Sequence, residues 1–212
     1  MGTFKNEAGK PVLMRMVKGI QDNKPYLGEV DGLIGDGDHG MNMNKGFTVF
    51  EDRFKDEDIS FTEGLDELGM ILLNEIGGSM GPIYGTIFMD MAEAGEDLDE
   101  ISAADFAAML EAGLNGLYGI VDARVGDKTL VDTLSPAVDV MKKAGETGQD
   151  FKEALAEMKA AAEAGRDSTK DMVAKYGRSS RLGERSRGVL DAGATSCCII
   201  LTAMAEGIMD LL

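Results

Sequence analysis

Along most of this chain apolar residues recur at every third or fourth position, and alternating runs of β-branched residues are nearly absent. That spacing builds a stripe down one face of a helix and cannot line one face of a strand. The segments near 10–23, 41–55, 63–76, 82–94, 103–120, 128–144, 150–176 and 192–211 all carry it. Phe106, Leu110, Leu114 and Leu117 form one stripe; Phe151, Leu155, Met158 and Ala162 form another. The expectation is an all-α chain of eight helices forming a single domain over residues 1–212. Local signals place several starts. Ser102 stands three residues before Asp105, a capping-box spacing, and Pro82 falls early in its helix, where a missing N–H does no harm. Asp38, Asp127 and Asp191 each stand just ahead of a helical stretch, where a carboxylate caps free N–H groups.

Charge then narrows the partners. The 38 acidic and 21 basic residues give a formal net charge of −17, which excludes nucleic acid and anionic membrane as partners of the general surface. No stretch reaches about 18 uninterrupted apolar residues; the most apolar run, Cys197 to Leu212, is broken by Glu206 and Asp210. The opening Met1–Glu7 is polar and leads into no apolar leader. Cys197 and Cys198 are adjacent, a spacing that rarely satisfies disulfide geometry, and read as small buried side chains in a reducing cytoplasm.

The 28 glycines are about twice the ordinary share of roughly 7%. Many punctuate the helical segments: Gly35, Gly37 and Gly40; Gly77, Gly78, Gly81 and Gly85; Gly126; Gly183, Gly188 and Gly193. They serve as caps and tight turns, or as loops gathered at one end of an up-and-down bundle. The run Asp31 to Asn44 matches G-x-G-x-x-G at Gly35, Gly37 and Gly40, but Asp36 and Asp38 would repel a pyrophosphate. It also opens like an EF-hand and fails at Met41 and Phe47. What remains is three carboxylates, Asp31, Asp36 and Asp38, on a glycine-rich turn, with His39, the sole histidine, beside them. Such a turn is either a solvated acidic cap on the next helix or a hard-oxygen set for Mg²⁺ or Ca²⁺, which would reverse the local sign and recruit an anion. Gly77–Pro82 and Gly126–Leu130 offer turns that lead into helix starts, with Lys128 and Thr129 free to face a ligand. Lys175, Arg178, Arg181, Arg185 and Arg187 stand against the single acid Glu184, in a glycine-punctuated stretch with the character of a phosphate-seeking lid.

Taken together, Ile34–Gly40, Asn42–Asn44, Gly81–Thr86, Gly126–Thr129, Leu182–Ser186 and Gly193–Ser196 resemble the motifs of the L subunit of dihydroxyacetone kinase and of the matching domain in single-chain kinases. The resemblance spans Asp31 to Ser196 and implies an eight-helix antiparallel barrel with a nucleotide at one end. It implies two Mg²⁺ ions on Asp31, Asp36 and Asp38. It also implies ADP or ATP contacts at His39, Gly40, Met41, Asn42, Ser79, Met80, Leu130, Arg178, Asp191, Ala192 and Gly193. Ser79–Met80 stands where the family usually has Ala-Ser, Leu130 for a Met, Ala192 for a Pro, Arg181 for a Tyr, and Val121 near a usual Gly.

The implied activity is phosphoryl transfer to dihydroxyacetone or a related short ketose held on a separate K subunit. Arg178 is then the candidate for stabilising the transition state. ADP stays bound and is rephosphorylated by a phosphohistidine-bearing M subunit of the phosphotransferase system, and a transcription regulator is a further implied partner. A rival reading is a nucleotide-loaded regulatory module with no transfer role of its own.

Overall fold

The structure, a computed structural model, describes residues 2–212. Among them are nine α-helices: α1 (Lys10–Asp22), α2 (Lys24–Ile34), α3 (His39–Phe54), α4 (Phe61–Glu75), α5 (Met80–Gly95), α6 (Ala103–Ile120), α7 (Val131–Thr147), α8 (Phe151–Ser168) and α9 (Ala192–Leu211). The fold is all-α. Eight of the helices close a ring in which α1 packs on α3, each helix from α3 to α9 packs on the next, and α9 packs back on α1. The ninth, α2, is inserted between α1 and α3 and lies against α3 and α9. Short loops between ring neighbours force an up-and-down course.

The ring encloses one apolar core, to which Met16, Phe47, Leu68, Phe88, Leu110, Met141, Leu155 and Met204 each bring a buried side chain from a different ring helix. One end is tied by a short antiparallel pair, β1 (Thr3–Lys5) with β2 (Glu100–Ser102). There Phe4 is buried between the rings of Phe61 and Phe151. Helix starts are held as their side chains dictate. Ser60 with Glu63, and Ser102 with Asp105, make reciprocal capping boxes, and Asp150 and Asp191 accept N–H bonds of their first turns.

Five expectations change. Asp38 stands at the N-cap of α3, but its side chain accepts no N–H bond of the first turn. The chain has a helix, α2, that the apolar pattern does not show, because it is only 11 residues long and carries Pro25, Gly28 and Gly32. Helix α7 begins at Val131 rather than near 128, so Asp127 is not its cap. Helix α8 ends at Ser168 rather than near 176. Glycine is also used inside helices, not only at their ends. A Cβ on Gly69 of α4 would lie 2.9 Å from the Gly85 carbonyl oxygen of α5, and one on Gly165 of α8 would lie 2.1 Å from the Asp132 carbonyl of α7. These pairs let neighbouring backbones approach more closely than any side chain allows. Helix α9 has the length and hydropathy to cross a bilayer, but most of it is buried inside the ring as a core helix.

Candidate functional site

The up-and-down course puts the starts of α3, α5, α7 and α9 at one end, opposite the β1–β2 tie. The connecting loops there surround a cavity of about 430 Å³. Its wall draws on the end of α2, the first turn of α3, the α4–α5 and α6–α7 loops, the 176–179 segment and the start of α9. Acidic groups (Asp31, Asp36, Asp38, Asp122, Asp191), cationic groups (Lys128, Arg178) and apolar ones (Ile34, Ile83, Leu130, Val131) share this wall.

The acidic loop follows from two glycines. Gly37 has φ +80°, and at Gly35 a Cβ would stand 2.2 Å from Asp31 Oδ1, so only glycine lets that carboxylate fold back over the turn. Asp31 Oδ2 accepts the His39 backbone N–H at 3.3 Å, and the Asp36 carboxylate is paired with the Arg178 guanidinium. The three carboxylates line one cavity but do not converge. Among the described residues no group of three or more His, Cys, Asp or Glu is close enough together to hold a metal ion. Like charges repel, and Arg178 draws Asp36 toward the 176–179 segment. In chemistry the set suits a hard cation: three carboxylates on a glycine turn with an asparagine, Asn42, on the same wall.

The α6–α7 loop is built around acids and one lysine. Asp132 takes the Gly126 N–H at 2.5 Å and the Thr129 N–H at 2.8 Å. Asp127 takes the Arg124 N–H at 2.8 Å and pairs with Lys175 at 2.5 Å, and the Lys175 ammonium holds its carboxyl below the usual carboxylate range. Lys128 has φ +62° and is wholly buried, its Nζ donating to the Thr169 carbonyl at 2.6 Å and to the Val189 carbonyl.

Behind the wall, His39 Nε2 lies 2.8 Å from Ser196 Oγ, which lies 2.7 Å from the Tyr84 hydroxyl. Burial pushes the His39 imidazole down to about 4, so it is neutral at pH 7 and acts there as a hydrogen-bonding group rather than a cation. Asp191, which caps α9 by accepting the Ala194 N–H at 2.8 Å, is pushed up from 3.8 to about 6 by burial, with Ala194 and Lys128 partly opposing the rise. A raised carboxyl makes the folded state bind more protons than the unfolded one between those values, so its contribution to stability falls as pH rises through that window. An Asp191→Asn chain keeps the cap without the buried charge. Its stability relative to the parent is therefore expected to rise between pH 4 and pH 6 and then level off, as measured by urea unfolding across that range.

Comparison with known proteins shows the family to which this fold belongs. The DAK2 domain model matches residues 33–206. The chain belongs to the DAK2 domain family. It is 36% identical, over 88% of its own length and 89% of the other's, to the ADP-binding L subunit of PEP-dependent dihydroxyacetone kinase 1 of Listeria innocua. It is 37% identical, over 85% and 86%, to the corresponding ADP-binding subunit of Escherichia coli. The dihydroxyacetone kinase of C. freundii, solved in complex with AMP-PNP and Mg²⁺, shares the fold with a TM-score of 0.69 at 20% identity. The alignment covers 97% of this chain but 35% of that kinase, so the chain spans about a third of its length.

Within this DAK2 domain the structure brings nearly all the residues singled out from the sequence onto one cavity wall: Asp31, Asp36, Asp38, His39, Asn42, Ser79, Met80, Leu130, Arg178, Asp191, Ala192 and Gly193. Two are not on it. Gly40 is a packing residue, since a Cβ there would lie 2.1 Å from the Lys24 carbonyl oxygen of α2. Met41, one step further along α3, is 55% exposed because the helix turns it outward. Val121, which stands near a usual Gly of the family, also lines the wall, and Asp122, Ala123 and Tyr176 join it without having been singled out. Ser79 and Met80 both line the wall, although the usual Ala-Ser order differs.

Proposed function

We propose that this DAK2 domain, residues 1–212 acting as one unit, is the ADP-binding subunit of a multi-subunit kinase. The kinase transfers a phosphoryl group to dihydroxyacetone or a related short ketose. The observation that carries this reading is the shared wall of one cavity: three carboxylates, the Arg178 guanidinium and the start of α9. Asp31, Asp36 and Asp38 would hold Mg²⁺, two ions in our reading, and His39, Asn42, Ser79, Met80, Leu130 and Asp191 to Gly193 would contact ADP or ATP. Bound Mg²⁺ supplies positive charge that neutralises the phosphate oxygens.

The chain's own contribution is positioning. The α9 start presents backbone N–H groups to an anion. Arg178, the candidate transition-state stabiliser, provides a planar fork for phosphate oxygens. Neutral His39, fixed by Ser196 and Tyr84, orients without adding charge. No nucleophile is required of this chain, because the ketose is presented by a K subunit, and ADP is recharged by an M subunit of the phosphotransferase system. The names of the Listeria and Escherichia relatives support the donor and the subunit arrangement, and the compartment is the cytoplasm.

The test is reconstitution: the chain, a ketose-binding subunit, a phosphohistidine donor and dihydroxyacetone, with ketose phosphate followed by a coupled assay. Product that depends on this chain and on ADP supports the reading. Nucleotide binding with no product would favour a regulatory module instead.

A further inference from the structure

The segment between α8 and α9 is a strap whose two ends meet. Gly188 donates its N–H to the Lys170 carbonyl at 2.7 Å, and Asp191 donates its own to Thr169 Oγ1 at 3.0 Å. The Lys128 ammonium lies at that junction, donating to Thr169 at one end of the strap and to Val189 at the other. Midway along the strap stands Arg178, paired with Asp36 of the acidic loop. A second tie runs in parallel, where Lys175 donates its N–H to the Asp127 carbonyl at 3.2 Å and its ammonium to the Asp127 side chain.

Nothing in simple packing demands a lysine here. Burying an ammonium costs free energy that an apolar plug would avoid, and the residue adopts a left-handed backbone (φ +62°) that L side chains rarely take. Both features make sense if the charge itself is used. Two carbonyls from opposite ends of one loop converge on the ammonium; burial pushes its pKa down, and Asp191 on the same wall opposes that fall only in part.

We propose that Lys128 is a positioning residue for the nucleotide site: its buried ammonium clamps the neck of the 170–190 strap and so fixes where Arg178 stands over the acidic loop. The role rests on the reading of the cavity as a nucleotide site. Lys128 lines the same cavity, and its role in the proposal is exercised through Arg178.

Hydrogen exchange and calorimetry on the full chain test this. In Lys128→Met, with far-UV circular dichroism unchanged, amides of the strap are expected to exchange at least about tenfold faster while those of the ring core keep their protection. Affinity for Mg-ADP is expected to fall about tenfold, in line with losing charged hydrogen bonds. In an Arg178→Ala background the Lys128 substitution should cost almost nothing further, which a merely structural lysine would not show. Lys128→Gln, which keeps a donor without the charge, should fall between the two. Unchanged strap exchange in Lys128→Met, or losses that add fully to those of Arg178→Ala, would overturn the proposal. Failure of both Lys128 variants to fold would also overturn it, in favour of a purely structural lysine. If the unaltered chain bound no Mg-ADP, the nucleotide reading itself would fail, whereas the exchange data would still report on the clamp.

Discussion

An Asp36→Asn chain is expected to lose Mg-ADP by at least about 100-fold, since even residues that only orient a metal ligand commonly cost 10–100-fold. Its thermal transition should hardly move. Asp36 lies in the acidic loop, and its partner Arg178 is more than half exposed. A solvent-exposed pair of this kind contributes little to stability, about 0–1 kcal/mol. The two readouts therefore separate. Calorimetry with Mg-ADP reports the carboxylate as a metal ligand, and scanning calorimetry reports it as a structural partner. Undiminished Mg-ADP binding by Asp36→Asn would remove the acidic loop from the site.

Gly40→Ala is expected to act in the opposite way, on stability first. The added methyl would stand 2.1 Å from the Lys24 carbonyl oxygen and 2.8 Å from the Gly28 nitrogen. Both are backbone atoms of α2 and cannot rotate aside, so α2 must move away from α3. Overpacking of this kind costs about 3 kcal/mol, a fall of about 6–12 °C in Tm for a domain of this size. Because α2 carries Asp31 and leads into the acidic loop, nucleotide affinity should fall as a consequence. If Gly40 instead served only as a nucleotide contact, the ligand-free Tm would be unchanged.

The contrast between Gly40 and Asp36 shows what the sequence makes legible. Periodicity identifies the eight ring helices because each buries a stripe against the common core, a local pattern of every third or fourth residue. It says nothing of closure, which depends on α9 returning to α1 across nearly the whole chain. It also passes over α2, whose two internal glycines and single proline look like loop chemistry although its backbone is helical. Glycine has two uses here that composition does not distinguish. Gly35 and Gly37 shape a turn, whereas Gly69, Gly85 and Gly165 sit inside helices to admit a neighbouring backbone.

The site was readable where its chemistry is local. Asp31, Asp36 and Asp38 fall within one short run, and Arg178 stands out because cations are scarce in a chain of charge −17. It was not readable where it depends on distant contacts. The His39–Ser196–Tyr84 chain joins α3, α9 and α5. Lys128 looks like the first turn of a helix behind an Asp127 cap, and its inward, left-handed backbone has no signature in residue spacing. The acidic composition described the outer surface. The placement of five of those acids with two cations around one cavity is what gives this end of the ring its character.

The most direct test is to purify the chain in Mg²⁺ without added nucleotide, denature it, and analyse the supernatant by mass spectrometry. The account predicts ADP released in near-stoichiometric amount, lost after dialysis against a chelator and regained on adding Mg-ADP. A supernatant free of adenine nucleotide, together with no heat on titrating Mg-ADP into the chelated protein, would contradict it.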